Sequence, residues 1–352
     1  MDQPMEQPKK KHERRSSDPG PQTGNPKFAE TRLRLQAAAA SWRRTFQMDM
    51  EAASAIEKAA ASARQADEEK LKTIYQEYYS EGKRKTDVNL EQKDPYDLVA
   101  MGESGYLQQP TAQETIAELA NAAKAGGYTL TVQGAVDQKP AHELLNDSHF
   151  VKFDNAEYPL PDNDQCQKDI ARRIVVNVTQ QIHGLSIAQR LLPLFTDKGI
   201  SPYFRGFKVL LSTESHPVRT IHLDKIVVYY TLGKFQEAGY DVVGDRIVTT
   251  VAGAAPSEAF VSEGPLFESS VAPGIYWAEE PKYHGLQSSF SKSRSEIIKK
   301  VIANNSDVAN AEEFIGLVRT GLGAGGVDPD NPHLHGKGRT RPLAPRLTGA
   351  AK

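Results

Sequence analysis

A handful of side chains in the second half of the chain have the types and spacing to act on an anion. Lys208 stands inside the apolar run FKVLLST (207–213), and Tyr229 inside the next one, KIVVYYT (225–231). Arg219, His222 and Asp224 fall on the polar stretch between them. Arg173 opens RIVVNV (173–178), and Arg294 ends SSFSKSR (288–294). A lysine among apolar neighbours has two fates. It snorkels to solvent from an edge strand, the commoner outcome. Or it sits in a cleft, where desolvation lowers its pKa and makes it a usable base. Arginines supply fixed cations whose forks suit phosphate. A helix starting at Ser288–Phe290 would add free backbone N–H groups near Arg294, a pattern that an ordinary capped helix shares.

Each residue also has a plainer reading. Asp224 caps the turn or pairs with Lys225 or Arg219. Tyr229 and Tyr230 face opposite sides of a strand, so one belongs to the core. His183, His216 and His222 have no partner at i, i+4 of the kind that marks a metal site. His333 and His335 stand in a polar tail, too weak a pair for a metal. The single cysteine, Cys166, lies in a polar loop-like stretch. It excludes an internal disulfide and a multi-cysteine metal site. No metal or other cofactor is expected.

The elements that must hold these groups follow from the patterning. The runs at 173–178, 207–213 and 225–231 are short, apolar and β-branched, and read as strands. The last two form an antiparallel hairpin around Pro217. Ile182 to Phe195 marks a helix interrupted at Pro193 and closed at Lys198–Gly199. A weaker strand is read at 246–251, RIVTTV, and a short helix at 233–239. Two C-terminal helices follow, from Ser288 or Ser289 to about Ala303 and over 310–321. The glycine-rich end GLGAGG neither follows a strand nor opens a helix, so it is not a phosphate loop. Upstream, Thr111 and Glu114 form a capping-box pattern before a helix that ends at Gly126–Gly127. The segment 128–136 alternates as a strand, and 146–167 reads as loop. The order predicts an α+β fold, a mostly antiparallel sheet with helices packed on one face.

The whole chain has 352 residues, 39% of them hydrophobic and 25% charged, with a net charge of −2. These values suit a soluble chain with no bulk attraction to nucleic acid or membrane. No apolar run is long enough to span a bilayer, and the start, MDQPMEQPKKKHERR, lacks a signal-peptide core. Residues 1–26 are polar and expected to be disordered. Residues 27–94 read as a helical accessory region, 95–170 as a small α/β extension with a loop, 171–335 as the main domain, and 336–352 as a disordered tail.

The segment from about Arg172 to His335 resembles the HopA family of type III secretion effectors. The resemblance rests on RRIVVNV, GFKVLLS, LDKIVVYY, PLFESSVAPGIYWAEEP, SSFSKSR and GVDPDNPHL, in that order. It implies export into host cells, a secretion chaperone on the N-terminal region, and a host signalling protein as target. The domain is also similar to peptide-modifying lyases and, more distantly, to phosphothreonine lyase effectors. That similarity implies elimination of phosphate from phosphothreonine or phosphoserine without a metal. It casts Lys208 as the base and Tyr229 as the site tyrosine, with Arg173 (or Arg172), Arg219 and Arg294 holding phosphate. The lyase pattern carries its acid histidine on the first strand, where this chain has Ile174, Val175 and Val176. His222 or His216 is the nearest replacement. Three readings follow: a phosphate-acting effector, a non-catalytic effector working by protein contact, and a bacterial cytoplasmic lyase of phosphorylated peptides.

Overall fold

The computed structural model describes residues 61–100, 102, 110–132, 149–159, 171–213, 222–232, 241–281, 289–335 and 344–347. All of them belong to one compact unit, Lys58–Lys352. In chain order the elements are α1 (61–78), β1 (Tyr79–Ser80), β2 (Lys83–Arg84), α2 (Pro95–Ala100), α3 (Gln113–Ala122), β3 (Tyr128–Val132) and β4 (His149–Asn155). Then come β5 (Ala171–Val176), α4 (Gln181–Leu191), β6 (Phe204–Leu211), β7 (Ile226–Thr231) and α5 (Val242–Ala252). The last are β8 (Ser269–Ala272), β9 (Ile275–Glu279), α6 (Phe290–Asn304) and α7 (Ala311–Ala324).

Seven strands form one sheet in the order β3-β4-β6-β7-β5-β9-β8. Every neighbouring pair in it is antiparallel. The fold is therefore α+β, as the patterning predicts. The helices cover both faces rather than one. On one face Phe153, Phe207, Val228 and Trp277 pack with Ile116, Leu191, Ile247 and Val251 of α3, α4 and α5. On the other, Ala278 joins a second core with Ile74 of α1, Phe290 and Ile302 of α6, and Phe314 of α7. Alternation along β5, β7 and β9 supplies apolar residues to both faces, which a two-layer fold would not need.

The expected strand at 246–251 lies inside α5. Asp241 caps that helix, its carboxylate accepting from the Gly244 N–H at 2.8 Å. Val243, Ile247, Val248 and Val251 then fall on one buried helical stripe. Burial of that stripe overrides the β-propensity of Ile, Val and Thr. The expected loop at 146–167 contains β4, whose Val151 and Phe153 alternate into the core. Thr111 does not cap α3; its N–H donates to the Ser212 carbonyl at 2.8 Å, and the helix starts at Gln113. The interruption at Pro193 is a 3-10 turn, Leu192–Phe195. Ser289 and Asn310 cap α6 and α7 through the N–H groups of Lys292 and Glu313.

β3 (Tyr128–Val132) and β4 (His149–Asn155) complete the main sheet. α1 is built into the second core, with Tyr75 6.0 Å from Phe314 between ring centroids. Within the expected tail, the Arg346 N–H donates to Asp245 of α5 at 2.6 Å. The expected helix at 233–239, the hairpin turn with Arg219 and His216, Cys166, and residues 1–26 lie outside the described residues.

Candidate functional site

β7 is the middle strand of the sheet, and the candidate residues gather on the face that it turns toward α6. Arg173 on β5 is paired with Tyr229 on β7, and Lys208 on β6 with Val227. Opposed residues share a face, and Val227 and Tyr229 share theirs by alternation. Lys208, Tyr229 and Arg173 therefore lie on one face, away from α3–α5. A bulge between Phe204 and Gly206 sets this register. Gly206 has φ +150°, and a Cβ there would meet the Phe153 carbonyl oxygen at 2.4 Å. Glycine is required at that close approach.

Lys208 does not snorkel. β6 is an interior strand, and the lysine side chain is only 13% exposed. Its Nζ stands 3.6 Å from Asp224 Oδ2 and 3.7 Å from the centre of the Phe150 ring. Burial pushes its pKa down, Asp224 pulls it up, and Arg173 pushes it down again. His222 flanks the same carboxylate, with Nδ1 3.4 Å from Asp224 Oδ1 and its ring 5.5 Å from that of Phe150. Burial alone would raise the Asp224 pKa, but Lys208, His222 and Arg173 hold it at about 2. The pair is thus asymmetric. Lys208, His222 and Arg173 surround Asp224 and keep it ionised, whereas for Lys208 burial and Arg173 oppose Asp224 and Glu280. The Lys225 ammonium donates to the His222 carbonyl and fixes the turn before β7. Burial lowers the Lys225 pKa to about 8.

Tyr229 is half-buried, with the Arg173 guanidinium 5.7 Å from its ring centre. Arg173 itself is buried. Its Nε donates to Glu280 at 2.5 Å, and its Nη1 stands 3.8 Å from Glu268. Arg294, in the first turns of α6, is fully buried. It donates to the Pro332 carbonyl at 3.1 Å and to Ser293 Oγ at 2.9 Å, and lies over the Phe290 ring. Burial and Arg173 bring its pKa down to about 9. The structure therefore unites Lys208, His222, Asp224, Tyr229 and Arg173 on one face and sets Arg294 behind it. Neither Arg173 nor Arg294 offers the open guanidinium expected of a phosphate ligand, because carboxylates and carbonyls already occupy both.

Several partners carry no sequence signal of their own. Phe150 walls Lys208 from a strand that reads as loop. Tyr96 of α2 feels Asp224 and Arg173, and burial raises its pKa to about 12. Glu280 was visible as the second acid of WAEEP, but nothing there pairs it with Arg173. Chemically, the cluster is a desolvated amine and an imidazole on either side of one ionised carboxylate. That is an arrangement for moving protons between two groups on a bound ligand.

The family match covers this region. Residues 142–334 match the HopA1 effector protein family, so β4 to the turn before His335 lies within the match. The chain belongs to the HopA1 effector protein family. Its fold is similar to that of the solved effector protein from Pseudomonas syringae pv. tomato strain DC3000. That comparison has 18% identity and a TM-score of 0.54, and covers 80% of this chain and 100% of the other. A second solved effector protein, from Pseudomonas syringae pv. syringae strain 61, has 17% identity and a TM-score of 0.52 over 80% and 98%. Identities this low speak to the fold alone. No curated protein matches the chain. Among the described residues no helix is long and apolar enough to cross a membrane.

Proposed function

We propose that this HopA1-family effector is delivered into host cells and acts there on a phosphorylated side chain of a signalling protein, removing phosphate by β-elimination. The observation that carries this reading is the placement of Lys208 and His222 on either side of Asp224, on one sheet face. In the proposed reaction the neutral Lys208 amine takes the α-proton of a phosphothreonine or phosphoserine. The electron pair left behind forms the Cα–Cβ double bond as the Cβ–O bond breaks. Phosphate departs and takes a proton from the His222 imidazolium. The lowered Lys208 pKa supports its role as base, and Asp224 receives the ammonium as it forms. His222 fills the place of the histidine that the first strand lacks. Tyr229 and Arg219 remain the candidate contacts for the phosphate oxygens, with Arg173 orienting Tyr229 from beneath.

The engagement of Arg173 and Arg294 by protein groups favours a second reading, in which the face binds an anionic partner without turnover. Mass spectrometry of phosphothreonine peptides incubated with the full chain separates the two. The first reading expects loss of phosphoric acid, reduced about 100-fold or more in Lys208→Ala, as for removal of a general base. Binding with no dehydrated product from any peptide would leave only the second. We further propose that residues 27–94 meet a secretion chaperone. A translocation reporter fused to residues 1–94 tests delivery, and a fusion that stays in the bacterium would refute it.

A further inference from the structure

Loss of an α-proton pushes electron density onto the carbonyl oxygen of the phosphorylated residue, and Lys208, His222 and the phosphate contacts leave that oxygen without a donor. A fixed hydrogen bond to such an oxygen carries a large share of catalysis in reactions of this kind. One donor comes from outside residues 142–334. α2 packs beside the face and is tied at both ends. Ahead of it, Asp94 accepts the Tyr96 N–H at 2.9 Å and pairs with Lys292 of α6 at 3.4 Å. At its close, the Val99 carbonyl accepts the Leu266 N–H at 3.2 Å, and the Ala100 carbonyl accepts the Leu223 N–H at 2.9 Å. Leu223 lies between His222 and Asp224, so α2 is bonded directly to the turn that carries both.

Tyr96 stands three and four positions before Val99 and Ala100, which are buried, and shares their side of the helix. It is half-buried. The charges that act on its hydroxyl are Asp224 first and Arg173 next, then Asp97 and Lys292. Asp224 belongs to the Lys208 end of the face and Arg173 to the Tyr229 end, which sets the phenol over the ground between them. The hydroxyls of Tyr78, Tyr79, Tyr230 and Tyr276 each donate to an oxygen of the protein. That of Tyr96 has no such partner among the described residues. Burial and Asp224 raise its pKa to about 12, so it keeps its proton and remains a donor.

We propose that Tyr96 is a further catalytic residue of this face, and that its hydroxyl donates to the carbonyl oxygen of the phosphorylated residue as the α-proton leaves. The role rests on the β-elimination proposed above. As Lys208 takes the α-proton, the electron pair of the Cα–H bond spreads onto that oxygen, and the Tyr96 O–H bonds to it without giving up its own proton. The pair returns to form the Cα–Cβ double bond as the Cβ–O bond breaks, and phosphate leaves with the proton of His222. Asp224 beside the phenol selects the carbonyl over the phosphate, because an ionised carboxylate repels a dianion far more than an oxygen that starts neutral. The carbonyl is also one bond from the Cα that Lys208 attacks, so its donor belongs at the Lys208–Asp224 end.

The test compares the wild-type full chain with Tyr96→Phe, which keeps the ring and removes only the hydroxyl. On a phosphothreonine peptide followed by mass spectrometry, kcat is expected to fall roughly 100-fold, with KM changed less than about threefold. A substrate deuterated at the phosphothreonine Cα should show a larger isotope effect in the variant, because proton removal becomes the slower step. The matching phosphonate peptide, with CH₂ in place of the ester oxygen, cannot lose phosphate and should bind both proteins equally in calorimetry. Turnover by wild type with an equal kcat in Tyr96→Phe overturns this role alone. Weaker binding of the phosphonate peptide by the variant also overturns it, by making the hydroxyl a phosphate contact. No dehydrated product from wild type overturns the elimination itself and this role with it. Circular dichroism of the Phe variant confirms that it folds.

Discussion

Replacing Asp224 with Asn removes the charge on which Lys208 and His222 converge. At 3.6 Å and an effective dielectric of about 20, the Lys208–Asp224 attraction is about 4–5 kcal/mol. Desolvation of two buried charges offsets part of it, leaving a coupling of about 2–3 kcal/mol. Urea denaturation of wild type, Asp224→Asn, Lys208→Met and the double variant measures that coupling as a double-mutant cycle. The pH dependence adds an independent readout. The folded chain gives up the Lys208 proton at lower pH than the unfolded chain does, because burial lowers that pKa from its ordinary 10.5. Where the unfolded state holds more protons, stability rises with pH. Without Asp224 the lysine sheds its proton earlier still, so the deficit of Asp224→Asn should shrink from pH 7 to pH 10. At the acid end, Asp224 itself titrates at about 2 when folded, against 3.8 ordinarily. Its contribution, about 2 kcal/mol, is present above pH 4 and lost as pH falls through 2. Additive effects within about 0.5 kcal/mol in the cycle, or a deficit unchanged at pH 10, would refute the reasoning.

Two other perturbations probe the frame around the site. Glu268 keeps its proton in the fold up to about pH 8, while an ordinary glutamate loses it near 4.5. Wild-type stability should therefore decline between those values, and Glu268→Gln should flatten the decline and gain on the order of 2 kcal/mol at pH 7.5. Parallel urea midpoints at pH 5 and 7.5 would contradict this. Gly206→Ala forces a Cβ against the Phe153 carbonyl at a positive φ, and should cost about 2–4 kcal/mol. A change under about 1 kcal/mol in thermal unfolding would show that the bulge relaxes.

Long apolar runs made the centre of the fold legible. RIVVNV, FKVLLST and KIVVYYT are β5, β6 and β7, because short, mainly apolar runs suit the interior strands of a sheet covered on both faces. The edges were less legible. β4 hides its alternation, Val151 and Phe153, between Lys152 and Asp154, in a stretch rich in Asp and Asn. The run at 246–251 has strand-forming residues, but Asp241 and the spacing of the buried valines make it helical. Lys208 and Tyr229 could be singled out because they interrupt or punctuate apolar runs. What they touch could not. Pairing Arg173 with Glu280 depends on two strands and a turn brought together from opposite ends of the domain, and no local pattern encodes that. The same holds for Glu268, which the sequence presents as one acid in a polar stretch.

The buried charges near β7 fit an anion better than any one of them does alone. Lys208, Arg173 and Arg294 are matched in number by Asp224, Glu280 and Glu268. Burial breaks that balance, because Glu268 retains its proton up to about pH 8. A proton on Lys208 would then set three cations against two anions, which favours the neutral amine that the proposed reaction uses. The excess cannot be relieved by Arg173 or Arg294, whose hydrogen bonds are spent on Glu280 and on the Pro332 carbonyl. It falls on Lys208, the least deeply held of the three and the one beside half-buried Tyr229. A phosphate arriving at that edge neutralises the excess without displacing any internal partner. Arg173 thus acts at a distance, by lowering the Lys208 pKa, and its burial is compatible with the function proposed for the face.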